Sequence, residues 1–95
     1  MDINYELYKV FYYVASTLSF SEASKQLFIS QSAVSQSIKA LEKKLDQTLF
    51  IRSTKKVRLT TEGEILLRHI EPAISLIKRG ESQLLDVGAR GGQLH

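Results

Sequence analysis

The side chains best suited to chemistry in this chain are hydrogen-bonding and cationic groups gathered between positions 21 and 58. Gln31, Ser32, Ser35, Gln36 and Lys39 recur at helical intervals, which puts them on adjoining rows of one helix face. Glutamine can bond adenine bidentately, serine suits donors or acceptors, and lysine suits guanine or phosphate. Ser21 and Ser30 stand where two helices start, and free backbone N–H groups there suit phosphate oxygens. Capping alone is a sufficient account of Ser30. Arg52, Lys55, Lys56 and Arg58 form a basic cluster that could lie on a nucleic-acid backbone or in a minor groove. A structural ion pair is an equal alternative for Arg52, and plain solvation is the alternative for each glutamine and serine.

This set recognises a ligand; it does not turn one over. There is no cysteine, hence no disulfide framework, thiolate nucleophile or thiolate metal site. His69 and His95 are isolated, and His69 sits beside Arg68 and Glu71, which reads as surface rather than as a metal ligand or base. Glu62 and Glu64 are explained by the dipole of a helix start. No phosphate loop is present, so neither an enzyme, a cofactor nor a metal is expected. The net charge of +3 is unevenly spread: residues 1–17 carry −1, residues 18–60 carry +5 and residues 61–95 carry −1. That is the footprint of a face that binds a polyanion. No apolar run approaches the roughly 20 residues of a membrane span, and MDINYELYK lacks the form of a signal peptide. A soluble, cytoplasmic chain in a reducing compartment is expected.

The elements that must position these groups follow from periodicity. Asn4 caps a first helix whose Leu7, Phe11, Val14, Ala15 and Leu18 face inward. Tyr5, Tyr8, Tyr12 and Tyr13 flank that stripe; packing is favoured over base stacking. Ser21 is a suitable N-cap for a short second helix, in which Ala23 and Leu27 share a face, and Phe28 and Ile29 break it. Ser30 caps a third helix reaching about Leu45, with Val34, Ile38, Leu41 and Leu45 as its apolar stripe. Leu49–Arg52 and Val57–Thr60 read as strands of a hairpin around a basic turn. Phe50, Val57 and Leu59 would pack it on the helices, because an isolated hairpin is marginal in water.

A long helix starts near Thr60 or Thr61, where Thr61 and Glu64 have capping-box spacing. Its stripe includes Leu66, Leu67, Ile70, Ala73, Ile74, Ile77, Leu84 and Leu85, more apolar length than one small domain covers. Leu66, Ile70, Ala73, Ile74, Ile77 and Leu84 are therefore expected to pair two copies of the helix. The alternative is that the stripe folds back on its own domain. Pro72 should kink this helix or destabilise it by about 3 kcal/mol, and Gly80 weakens it further. Asp86–His95, with three glycines, reads as a flexible link.

The fold expected is mainly α: a winged helix-turn-helix of three helices and a β-hairpin, then a long helix. Its divisions are 1–60 for the winged domain (motif at about 20–39), 61–87 for a linker and dimerisation helix, and 88–95 for a hinge. The run LSFSEASKQLFISQSAVSQSIKALEKKLDQTLFIRSTKKVRLTTEGEILL resembles the DNA-binding domain of LysR-type transcriptional regulators. Ser19-Phe20, Ala23, Leu27, Ser30-Gln31, Ala33-Val34-Ser35, Ile38, Leu41-Glu42, Leu49-Phe50, Arg52, Leu59-Thr60 and Glu62-Gly63 carry the likeness, which extends from residue 1 to about 88. Asp46 stands where that family usually has glycine, Ser32 where many members have proline, and Ser24 where a second alanine is usual.

The resemblance implies sequence-specific binding of double-stranded promoter DNA as a dimer or higher oligomer. The third helix would enter the major groove and the wing would lie on the backbone or minor groove. It also implies a small-molecule effector acting through a C-terminal domain beyond residue 95. A winged-helix interaction module that does not touch DNA is the competing reading.

Overall fold

The computed structural model describes residues 2–53 and 56–89. Asn4 has extended backbone and its side-chain oxygen accepts from Glu6 N–H at 2.8 Å, which starts α1, Tyr5–Thr17. Val10, Phe11, Val14 and Ala15 form its buried face. Leu18, expected on that face, instead ends the helix in a left-handed conformation and is 46% exposed. The second helix, α2, is Phe20–Leu27. Its cap is Ser19 and not Ser21: Ser19 Oγ accepts from Glu22 N–H at 3.0 Å. Ser21 lies inside the first turn, and its carbonyl accepts from Ser24 Oγ at 2.7 Å. The serine-x-x-glutamate spacing of Ser19 and Glu22 is the capping signal that decides between the two serines.

Ser30 caps α3, Gln31–Leu45, accepting from Ala33 N–H at 3.0 Å. A cap of this kind is worth about 1 kcal/mol. Val34, Ile38 and Leu41 are buried, as the stripe requires. Asp46 closes the helix at φ 54°, left-handed without a glycine, and its N–H and that of Gln47 return to the last carbonyls. The three helices contact one another pairwise. Strands β1, Phe50–Arg52, and β2, Val57–Leu59, pair antiparallel in the register Phe50 with Leu59, Ile51 with Arg58 and Arg52 with Val57. Both are a residue shorter than expected: Leu49, which is buried, precedes β1, and the half-buried Thr60 follows β2.

The hairpin is tied down from its inner face. Phe50 is buried, with its ring 5.4 Å from Phe11 and 6.0 Å from Phe20, the latter edge-on. Burying a side chain of this size contributes about 1.5–3 kcal/mol. Glu42 on α3 reaches forward and accepts from Leu49 N–H at 2.8 Å and Phe50 N–H at 3.3 Å. With strand faces alternating, Phe50 and Arg52 point toward the helices while Ile51 and Arg58 point away.

The last helix, α4, is Thr61–Ala89. Thr60 rather than Thr61 caps it: its Oγ1 accepts from Gly63 N–H at 2.9 Å and donates to Thr48 O at 2.6 Å. The helix continues through Pro72 without a break, and it passes Gly88, so the expected link at Asp86–Ala89 is helical. Residues 90–95, the rest of the expected hinge, lie outside the described residues.

The first half of the α4 stripe serves its own domain. Leu66, Leu67 and Ile70 pack on the core, and Ile74 is 3% exposed. One turn on, Lys78 Nζ stands 5.8 and 5.6 Å from the Tyr12 and Tyr13 rings, so α4 lies against α1. Leu66, Ile70 and Ile74 are thus spent on the monomer, while Ala73, Ile77 and Leu84 remain exposed along with Leu76 and Leu85. The architecture is a mainly helical winged helix-turn-helix followed by a helix that outruns it.

Candidate nucleic-acid interface

Two helix starts and the wing converge on one open hollow of about 490 Å³. Ser19, Phe20 and Ser21 come from the first turn of α2, Gln31 and Ser35 from α3, and Arg52, Ser53 and Lys56 from the hairpin. The convergence follows from the packing above: Phe20 is held against Phe50, so the N-terminus of α2 and the inner face of β1 must meet beside α3. The rim is polar and cationic, and helix starts present unpaired N–H groups, so the hollow favours an anion or an acceptor-rich edge.

The sequence-derived residues divide into three groups. Ser21, Gln31, Ser35, Arg52 and Lys56 line the hollow together. Ser32, Gln36 and Lys39 are exposed on the adjoining rows of α3, and Lys39 lines a smaller hollow with Ser35, Phe20 and Arg52. Arg58 stands apart: it shares the outer face of the hairpin with Ile51, turned away from α3. Ser30 is engaged as a cap. Lys55 lies outside the described residues.

Among the described residues Arg52 makes two side-chain contacts, and neither is the ion pair considered from the sequence. Its guanidinium carbon sits 3.6 Å from the Phe20 ring centroid, a cation–π stack, and its Nη2 donates to Ser35 Oγ at 2.6 Å. The tip of the wing is held by Ser53, whose N–H and Oγ both donate to Lys56 O, and whose Oγ accepts from Lys56 N–H at 3.1 Å. Three of the tyrosines belong to packing, since Tyr8 and Tyr13 lean on the core and Tyr12 meets Tyr13 edge-on at 5.6 Å, whereas Tyr5, expected to pack, is 41% exposed. Four positioning residues escaped the sequence reading of the site. Ser19 and Thr60 differ from the residues first favoured as caps, Glu42 anchors the start of β1, and Ser53 shapes the wing.

Comparison with known proteins agrees with this geometry. The model of the bacterial regulatory helix-turn-helix proteins of the lysR family matches residues 5–64. The chain is 38% identical over 89 residues to the HTH-type transcriptional regulator PerR of Escherichia coli (strain K12), covering 94% of this chain and 30% of that protein. It therefore spans under a third of the length of that relative. Among solved structures, a BenM DNA-binding domain in complex with the catB site 1 DNA superposes with a TM-score of 0.81 at 24% identity, over 90% of this chain and 96% of that one. DarR of Vibrio fischeri, solved in complex with DNA, gives 0.77 at 27% identity over 97% of this chain and 32% of its own. With a matched family model spanning both the motif and the wing, this chain belongs to the lysR family of bacterial regulatory helix-turn-helix proteins, a regulatory and not a catalytic class.

Proposed function

We propose that this chain is the sequence-specific, double-stranded DNA-binding unit of a bacterial-type transcriptional regulator. The observation that carries the reading is the convergence of the α2 start, the α3 face and the wing on one polar, cationic hollow. In this reading α3 enters the major groove with its N-terminus leading, and Gln31, Ser32, Ser35, Gln36 and Lys39 reach base edges. Ser21 and the first N–H groups of α2 take a backbone phosphate, and Lys56 takes another from the wing. Arg58, on the outer face, contributes through the general field. The solved DNA complex of the similar DarR supports the partner.

Residues 1–60 would act as the binding domain and 61–87 as the linker that pairs two copies. The exposed Ala73, Ile77 and Leu84 are the pairing candidates that remain after the domain has used the others. A small-molecule effector would act through a domain outside this sequence, and the protein would work in the cytoplasm. No described helix is long and apolar enough to cross a membrane.

Fluorescence anisotropy against a selected promoter duplex and a random duplex tests the proposal. Binding should favour the selected duplex and weaken steeply between 50 and 200 mM salt, by roughly 10³-fold or more for about six phosphate contacts. A chain that ignores both duplexes at low salt would instead be an interaction module.

A further inference from the structure

We propose that Arg52 is a positioning residue that sets the hydrogen-bond polarity of Ser35, so that Ser35 reads its base as a donor. This rests on α3 lying in the major groove, and adds which base Ser35 accepts there. A serine hydroxyl has one hydrogen to give and two lone pairs, so alone it can approach any base edge. Here its oxygen already accepts from a permanently charged guanidinium at 2.6 Å. The arginine is exposed, but a second contact holds it beside Ser35. It lies on the inner face of β1, 3.6 Å over the Phe20 ring, and Phe20 is itself 6% exposed and wedged edge-on against Phe50.

The Ser35 hydrogen is unspent. Ser16, Thr17 and Ser24 each donate their hydroxyl to a backbone carbonyl, whereas Ser35 has no such acceptor among the described residues. Accepting from a cation strengthens donation by the same hydroxyl and weakens further acceptance. The nearby positive charge also repels an incoming amino group. In the major groove guanine offers N7 and O6, thymine offers O4, adenine offers one acceptor beside a donor, and cytosine offers only its amino donor. Ser35 should therefore favour guanine or thymine, tolerate adenine and reject cytosine. The wing thereby shapes base selection without touching a base.

The test is selection from random duplexes followed by affinity measurements on all four base pairs at each position. The wild type should show one position per half-site at which cytosine is disfavoured by roughly tenfold, the size of one such hydrogen bond. Ser35→Ala should flatten that position, Arg52→Met should flatten it equally, and the double variant should lose no more than either. Arg52→Lys keeps a cationic donor and should retain the order of preference, which keeps the idea testable if Arg52→Met fails to fold by circular dichroism. Arg52→Met that weakens all four duplexes alike, lowers the salt slope by about one contact and leaves the preference intact would make Arg52 a phosphate ligand and overturn the proposal. A wild type with no sequence preference anywhere would remove the DNA reading itself, a different failure.

Discussion

Phe28 links the two helices of the motif in a conformation its side chain resists. It ends α2 at φ 58°, and it is 93% exposed. A left-handed conformation costs a non-glycine residue about 1–2 kcal/mol, and a ring in water gains no burial to offset that. Phe28→Gly should stabilise the domain by about 0.5–1 kcal/mol after the extra unfolded-state entropy of glycine is deducted, raising Tm by a few degrees. A lowered Tm would show that the ring makes a stabilising contact. Glu42 argues the opposite case. One carboxylate oxygen serves two backbone N–H groups, so Glu42→Ala strands both at the entry to the wing. A loss of about 2 kcal/mol is expected in urea unfolding with an unchanged m-value. Glu42→Gln should fall between, because its amide oxygen can still accept.

At the scale of elements, the junction between wing and α4 depends on a missing side chain. A Cβ on Gly63 would come within 2.2 Å of the Leu49 carbonyl oxygen and 2.8 Å of the Leu59 side chain. Leu49 O also accepts from Thr60 N–H at 3.0 Å, so it cannot retreat without breaking the step from β2 into α4. Alanine is the better helix former by about 1 kcal/mol, but the clash involves backbone and should dominate. Gly63→Ala should lose at least about 2 kcal/mol, whereas Gly80→Ala, with open space around its Cβ, should gain about 0.5–1 kcal/mol. Paired thermal melts check both signs.

The same elements show what could be read in advance. The α3 stripe, most of the α1 stripe and the caps Asn4 and Ser30 are local patterns and legible, whereas Leu18 leaves the α1 face because it ends the helix and Val10 joins it. The choices between Ser19 and Ser21, and between Thr60 and Thr61, turn on one residue of register and on partners such as Thr48 O that only the folded chain supplies. At the site, Gln31, Ser35, Arg52 and Lys56 were legible as types but not as a constellation. The Arg52–Ser35 bond spans 17 residues and depends on the hairpin register that turns Arg52 inward and Arg58 outward.

For the whole molecule, the question is what covers the far half of α4. Its 29 residues make a rod of about 43 Å, and the chain measures 54 × 27 × 20 Å with a radius of gyration of 15.8 Å. A compact chain of this size would have a radius of about 13 Å, so α4 extends well past the winged domain. Beyond Ile74 the domain covers little of it: Leu76 is 60%, Ile77 41%, Leu84 74% and Leu85 74% exposed. Apolar side chains at this spacing on a projecting helix suit a second copy of the same helix, and a two-fold pair would set two α3 helices on successive major grooves. The two halves of α4 should then respond differently to a buried charge. Ile74→Asp attacks the monomer and should unfold the domain. Leu84→Asp combined with Ile77→Asp should leave the melt of the winged domain within about 0.5 kcal/mol of wild type while shifting sedimentation from dimer to monomer. The same double variant should bind a single half-site as the wild type does and lose its advantage on the paired site, since that advantage comes from linking two readers. An unchanged dimer would place the pairing surface elsewhere, and a dimer lost with no change on the paired site would mean that the two readers bind independently.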